Sequence, residues 1–154
     1  MQFIKLVSIG LFFALVSCQT DHSSTIPPNV EYLTSEATAN LPFSDAVRVG
    51  NMLYLSGQIG VNTDNLTLVP GGIAAETRQT MENIKATLER HGSSLNQVVK
   101  CTVMLADIGE WAAMNEVYIT YFPKHFPARS AFGANGLALG ARVEIECWAT
   151  DGSK

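Results

Sequence analysis

The chain has 154 residues and a mass of 16.6 kDa, which at roughly 100–200 residues per domain is one domain with an appended segment. Hydrophobic residues make up 47% and charged residues 16%, a balance that excludes disorder and a long coiled coil. A net charge of −4 supplies no basic stripe for nucleic acid, and 3 Cys with 3 His are too few for a disulfide scaffold or a zinc-cluster module.

The first segment reads as an address. Lys5 is the one charge in residues 1–17, and the apolar run after it is shorter than the roughly 20 residues that span a bilayer. Such a run fits the hydrophobic part of a secretory signal. Leu15-Val16-Ser17-Cys18 resembles the bacterial lipobox, in which the cysteine is acylated and becomes the new N-terminus. A buried apolar helix ending in a core cysteine, and export without lipidation, are the alternatives. On the lipobox reading Cys18 is the lipidation site and residues 1–17 leave the mature chain. Residues 18–30, polar and carrying Pro27-Pro28, tether a domain over 31–154. The expected location is the bacterial cell envelope on the periplasmic side, with the lipid as the only membrane contact. Gln19 after the cysteine favours the outer membrane in a Gram-negative cell.

Past residue 30 the elements follow one another closely. A segment near Glu31–Ser35 is a candidate edge strand. Ala46–Val49 and Met52–Ser56 are β-prone runs around Gly50-Asn51, which reads as a hairpin. Residues 62–72 are loop-like. From 73 to 91, Ile73, Thr77, Met81, Ile84 and Leu88 recur at spacings of three or four and predict an amphipathic helix that stops at Gly92. Val99–Leu105 predicts a strand. Asp107 can cap a second helix over about 108–122, with Trp111, Met114, Tyr118, Tyr121 and Phe122 inward and Pro123 ending it. Arg129–Phe132 is a short strand, and 133–140 a chargeless glycine-rich loop. Over 142–149 the alternation is clean: Val143, Ile145, Cys147 and Ala149 on one face, Glu144, Glu146 and Trp148 on the other. Two helices and one mixed sheet make an α+β domain. Two helices cover only one face of that sheet, so self-association through the other face is expected. Cys101 and Cys147 fall mid-strand and read as buried free thiols.

No metal-ligand spacing, nucleophile elbow or phosphate-binding loop is present. What remains is a handful of polar residues in apolar context. Arg129 follows a proline-fixed turn, and a held guanidinium suits a carboxylate; the alternative is a structural arginine paired with an acidic neighbour. Glu144 and Glu146 share a strand face, where one could take up a proton or hold a water, or both could be solvated or paired across an interface. Ser56-Gly57 offers a hydroxyl and a backbone donor at a strand end. Asn115 is a polar residue beside an apolar helical stripe, either a ligand contact or a surface amide.

In combination these segments resemble the RidA/YjgF family, also called the endoribonuclease L-PSP family. The likeness runs over about residues 40–150 and rests on Gly50–Ile59 (GNMLYLSGQI), Thr77–Lys85 (TRQTMENIK), Phe126–Ser130 (FPARS) and Glu144-Ile145-Glu146. It implies a chorismate-mutase-like α+β fold, a mixed β-sheet with two helices on one face, and a homotrimer with sites in the clefts between subunits. It implies hydrolysis of reactive enamine and imine intermediates, such as 2-iminobutanoate and 2-iminopropanoate, to 2-oxo acids and ammonia. Metal and organic cofactors are not part of that chemistry, and the partners are a small imine and the chain itself. Carried over by motif position, Arg129 holds the substrate carboxylate and Glu144 positions the attacking water. Phe43, Ser56, Gly57 and Ala131 line the pocket, and Asn115 comes from the neighbouring subunit's side. Phe43 stands where many members have Tyr, and Ala131 where many have Cys. The competing reading is a non-catalytic small-molecule-binding trimer of the cell envelope. Ribonuclease activity, suggested by the family's second name, conflicts with the acidic charge and the absence of a paired His acid and base.

Overall fold

The sheet starts where the sequence turns most sharply. In the computed structural model, which describes residues 27–36 and 38–152, Ala46–Val49 (β2) and Met52–Leu55 (β3) pair antiparallel across the two-residue turn Gly50-Asn51. Gly50 has φ 59, a left-handed value at the first turn position that glycine adopts without strain. Val30–Leu33 (β1) adds to β2 as an edge strand. It begins one residue inside the segment expected to be tether, and Asn29 is already bound through its carbonyl to the Gly50 N–H at 3.0 Å. The proposed signal, Cys18 and most of the tether lie outside the described residues.

Gln58–Ile59 (β4) follows β3 along the same neighbour. The expected loop that comes next contains a small separate hairpin, Val61–Asn62 (β5) with Thr67–Leu68 (β6). Each of these strands has two residues, too few to show an alternation in the sequence. Helix α1, Gly72–Arg90, buries the expected stripe: Thr77, Met81, Ile84 and Leu88 are fully enclosed. Val98–Leu105 (β7) leads through a 3-10 turn to α2, Trp111–Tyr118, and a second 3-10 turn, Ile119–Tyr121. Asp107 caps as expected, accepting from the Gly109 N–H at 2.8 Å, but the turn it caps is the 3-10 one. Ala128–Gly133 (β8) and Val143–Thr150 (β9) complete the chain.

The strand order is β1-β2-β3-β9-β7-β8, with β4 also on β9. Only β7 and β8 run parallel, so the sheet is mixed. On its inner face Leu53, Val103, Leu105, Val143 and Ile145 meet Met81, Ile84 and Leu88 of α1 and Met114 of α2. Each large apolar side chain so enclosed is worth about 1.5–3 kcal/mol. The outer face keeps Tyr54, Trp148 and Phe132 exposed, and the Tyr54 and Trp148 rings meet edge-on at 5.1 Å.

Two expectations are corrected. Cys101 and Cys147 are not free thiols: they form a disulfide. They face each other in the antiparallel β7/β9 register with Cα atoms 4.2 Å apart, the close spacing of a non-hydrogen-bonded pair. Trp111 is not inward; it is 40% exposed at the start of α2, where it stacks beside Arg129 instead.

Candidate active site

The site begins at an irregularity in the sheet. Tyr54 pairs with Trp148, but Gln58 pairs with Ile145, so four residues of one strand span three of β9. The surplus residue forms a bulge at Leu55–Gly57, and a bay opens beside Glu144. The bay has a volume of about 350 Å3 and is lined by Phe43, Ser56, Gly57, Ile59, Ala138 and Glu144. Four of the residues expected at the site are therefore together. Ile59 and Ala138 were not anticipated: β4 is too short to read from its sequence, and Ala138 sits in a loop that carries no polar signal.

Glu144 lies directly against the Gly57 backbone. A Cβ on Gly57 would overlap Oε1 of Glu144 and stand 2.9 Å from its Cδ, so glycine is what lets the carboxylate reach this position. Burial pushes the Glu144 carboxyl up from its ordinary value, and the charge of Glu146 adds to the effect. A carboxylate of raised basicity can take a proton from water. Ser56 gives its hydroxyl proton to the Ser44 carbonyl at 2.7 Å, and its N–H goes to the Asp45 carbonyl at 3.0 Å. Its role is thus to hold the segment that carries Phe43, not to donate into the bay. Asp45 is anchored in turn, 3.3 Å from Nη1 of Arg90 and 3.4 Å from Nε2 of His91. On the other side Asn83 of α1 donates to the carbonyls of Ile59 and Val61 at 3.1 and 3.0 Å, fixing the far wall.

Arg129 is elsewhere. It pairs in register with Cys101, so it lies on the helix side of β8, whereas Glu144 lies on the outer face with Met104 and Phe132. Its guanidinium stands 4.7 Å from the Tyr118 ring and 5.5 Å from the Trp111 ring. Nη1 donates to Oδ1 of Asn115 at 2.8 Å. Asn115 therefore shares a chain with the arginine it holds. Among the described residues no carboxylate pairs with Arg129, and the structural ion pair considered from sequence is not formed. Burial pushes the Tyr118 phenol up to about 12 against the opposing pull of Arg129. Its hydroxyl is buried and has no hydrogen-bond partner among the described residues. Asn115, Tyr118, Phe126, Pro127 and Arg129 line a second concavity of about 260 Å3 at this sheet edge. Ala131 joins neither cavity; it is partly buried and packs on the core.

One chain thus carries a bay beside Glu144 on the outer face and, on the opposite face, the Arg129 fork on the edge strand β8. The profile of the family described as Endoribonuclease L-PSP matches residues 34–151. The chain belongs to the endoribonuclease L-PSP family. A mouse member, named 2-iminobutanoate/2-iminopropanoate deaminase, is 42% identical over 120 residues, covering 77% of this chain and 89% of the mouse protein. The crystal structure of the yeast family member YEO7 superposes with a TM-score of 0.75 at 42% identity, covering 80% of this chain and 99% of the yeast chain. That of the Escherichia coli YjgF product gives 0.72 at 34% identity, covering 78% and 98%. The L-PSP fold accounts for the mixed sheet and the two helices on one face. Within it, no helix of the described residues is long and apolar enough to cross a membrane.

Proposed function

We propose that this L-PSP family member hydrolyses 2-imino acids of the 2-iminobutanoate and 2-iminopropanoate type, releasing 2-oxo acids and ammonia. The observation that carries the reading is Arg129, a guanidinium stacked on two rings, steered by Asn115 and left without a carboxylate among the described residues. A guanidinium held this way is prepared for an incoming carboxylate. The names of relatives more than 40% identical point to the same substrate class.

The chemistry asks little of the protein. The iminium carbon is already electrophilic, so orientation and one placed water supply most of the catalysis. Water adds to that carbon while its proton passes to the Glu144 carboxylate. The same carboxyl returns the proton to the nitrogen, the C–N bond breaks with its electron pair on nitrogen, and ammonia leaves. The carbinol oxygen closes to the carbonyl and releases its proton to the regenerated Glu144 carboxylate, which passes it to solvent.

Glu144 and Arg129 of one chain face opposite sides of the sheet, so one chain does not bring them to one substrate. The reading therefore includes a homotrimer in which the arginine edge of one subunit meets the Glu144 bay of the next. A head-to-tail contact of this kind forms a ring when its rotation closes, and it covers the exposed aromatics of the outer face. We also propose that Cys18 carries a lipid anchor at the bacterial envelope. The Cys101–Cys147 disulfide suits an oxidising compartment. Fractionation of cells producing the full chain or Cys18→Ser tests the anchor: membrane retention that survives the substitution refutes it.

The activity is tested with 2-iminobutanoate generated in situ from an L-amino acid, with semicarbazide trapping unreacted imine. The wild type is expected to lower semicarbazone formation, and Arg129→Ala to leave it unchanged. No effect of the folded wild type refutes the proposal.

A further inference from the structure

The bay beside Glu144 does not end at its own walls. Phe43, Gly57, Ile59 and Ala138 also line a third cavity, of about 320 Å3, that opens from it. Beyond those shared residues Leu41, Val61, Leu66 and Leu139 form most of the surface, Thr38, Gln58 and Thr63 complete it, and among the described residues no charged side chain lines it.

Two of these walls are held in an unusual backbone conformation. Leu66 and Leu139 have φ of 54 and 57, and they are the only non-glycine residues with positive φ among the described residues. The left-handed region is sterically unfavourable for a side chain such as leucine and is normally given to glycine, or to asparagine and aspartate. Neither leucine is there because the core needs it, since they are 49% and 67% exposed. They come from different parts of the chain: Leu66 from the β5–β6 turn, where its N–H binds the Asn62 carbonyl at 2.9 Å, and Leu139 from the 3-10 turn 138–140. Either turn would close more easily with glycine. Strained residues that converge on one cavity are a mark of function. The Phe43 ring, half exposed, stands between the two cavities and presents only carbon to both.

We propose that this cavity is the side-chain subsite of the enzyme, and that the substrates it selects are 2-imino acids with branched or aromatic apolar side chains larger than ethyl. The inference rests on the deaminase reading above and narrows its substrate class. With the carboxylate on Arg129 and the reacting carbon beside Glu144, the substituent on that carbon extends past Phe43 toward Leu66 and Leu139.

The experiment compares kcat/KM for 2-iminobutanoate with that for the imino acid derived from L-leucine, each generated in situ by an L-amino-acid oxidase. Additional methylenes seated in an apolar pocket raise specificity by about 10-fold or more, so a preference of at least that size is expected for the leucine-derived substrate. In Leu66→Gly/Leu139→Gly the backbone strain is relieved while the walls are removed. This variant is expected to melt no lower than the wild type and to bring the ratio close to one. Should it melt earlier, Leu139→Asn, also tolerated at that φ, reads the same ratio. Arg129-dependent hydrolysis of 2-iminobutanoate with no preference for the larger substrate overturns the subsite and leaves the deaminase reading standing. A preference that survives the folded variants also overturns the subsite. Hydrolysis of neither imine overturns both.

Discussion

Gly57→Ala is the smallest change that isolates the placement of Glu144. The position has no left-handed φ, so alanine carries no backbone strain there and the whole effect comes from one methyl group. That methyl would overlap Oε1 of Glu144 and stand 2.9 and 3.1 Å from its Cδ and Cγ. Carbon atoms rest about 3.5–4.0 Å apart, so the carboxylate must retreat by roughly 1 Å. A displacement of about 1 Å at a catalytic group reduces the rate by around 10²-fold, or about 2.7 kcal/mol of transition-state stabilisation. The measurement is kcat and KM on 2-iminobutanoate beside a thermal melt of the same preparation. The loss is expected in kcat, with KM little changed because the substrate carboxylate is held by Arg129 of the neighbouring subunit, which the methyl does not touch, and with the fold intact because Glu144 has open space on its bay side. Wild-type kcat in a folded Gly57→Ala protein would refute the assignment of Glu144 to the water.

Arg129→Lys keeps the charge but removes the fork and the flat stacking on Tyr118 and Trp111; KM for the imine is expected to rise at least 10-fold, and an unchanged KM would contradict carboxylate binding there. Glu144→Gln is expected to abolish turnover while raising the melting temperature at pH 8. The folded chain binds the Glu144 proton more tightly than the unfolded chain does, so the ionised side chain destabilises the fold at high pH, and that penalty fades as pH falls through the raised value. The stability gain of the Gln variant should therefore vanish below the ordinary Glu value of 4.5; a gain independent of pH would show that ionisation is not its source. Reduction of the Cys101–Cys147 bond, which closes a separation of 46 residues, is expected to lower unfolding stability by about 2–4 kcal/mol in urea titrations. Identical curves with and without reductant would refute that role for the disulfide.

Local patterns carried much of the fold. The Gly50-Asn51 hairpin, the Thr77–Leu88 stripe of α1 and the strict alternation of β9 each follow from spacing within one element. The motif residues Phe43, Ser56, Gly57 and Glu144 gather in one bay, and Arg129 and Asn115 in another place. What could not be read depends on how elements meet. The Cys101–Cys147 bond is a matter of β7/β9 register, and two mid-strand cysteines say nothing of it alone. Alternation along β8 and β9 gives two faces to each strand, but which faces coincide is decided by the pairing of both with β7, and that pairing puts Arg129 and Glu144 on opposite sides. Trp111 reads as inward from its helical position, yet the arginine it stacks on comes from another element. The positive φ of Leu66 and Leu139 has no signature in residue type.

The central claim is that a working site is built by two subunits, and subunit mixing tests it most directly. Arg129→Ala and Glu144→Gln are each expected to be inactive alone. Co-expressed in equal amounts, they assemble into mixed rings in which one contact joins an intact Glu144 bay to an intact Arg129 edge. Random assembly of a closed trimer with head-to-tail contacts then restores about one quarter of wild-type activity. Recovery near that level supports a composite site. No recovery from mixed trimers whose composition has been verified would contradict it and place the whole reaction on a single chain.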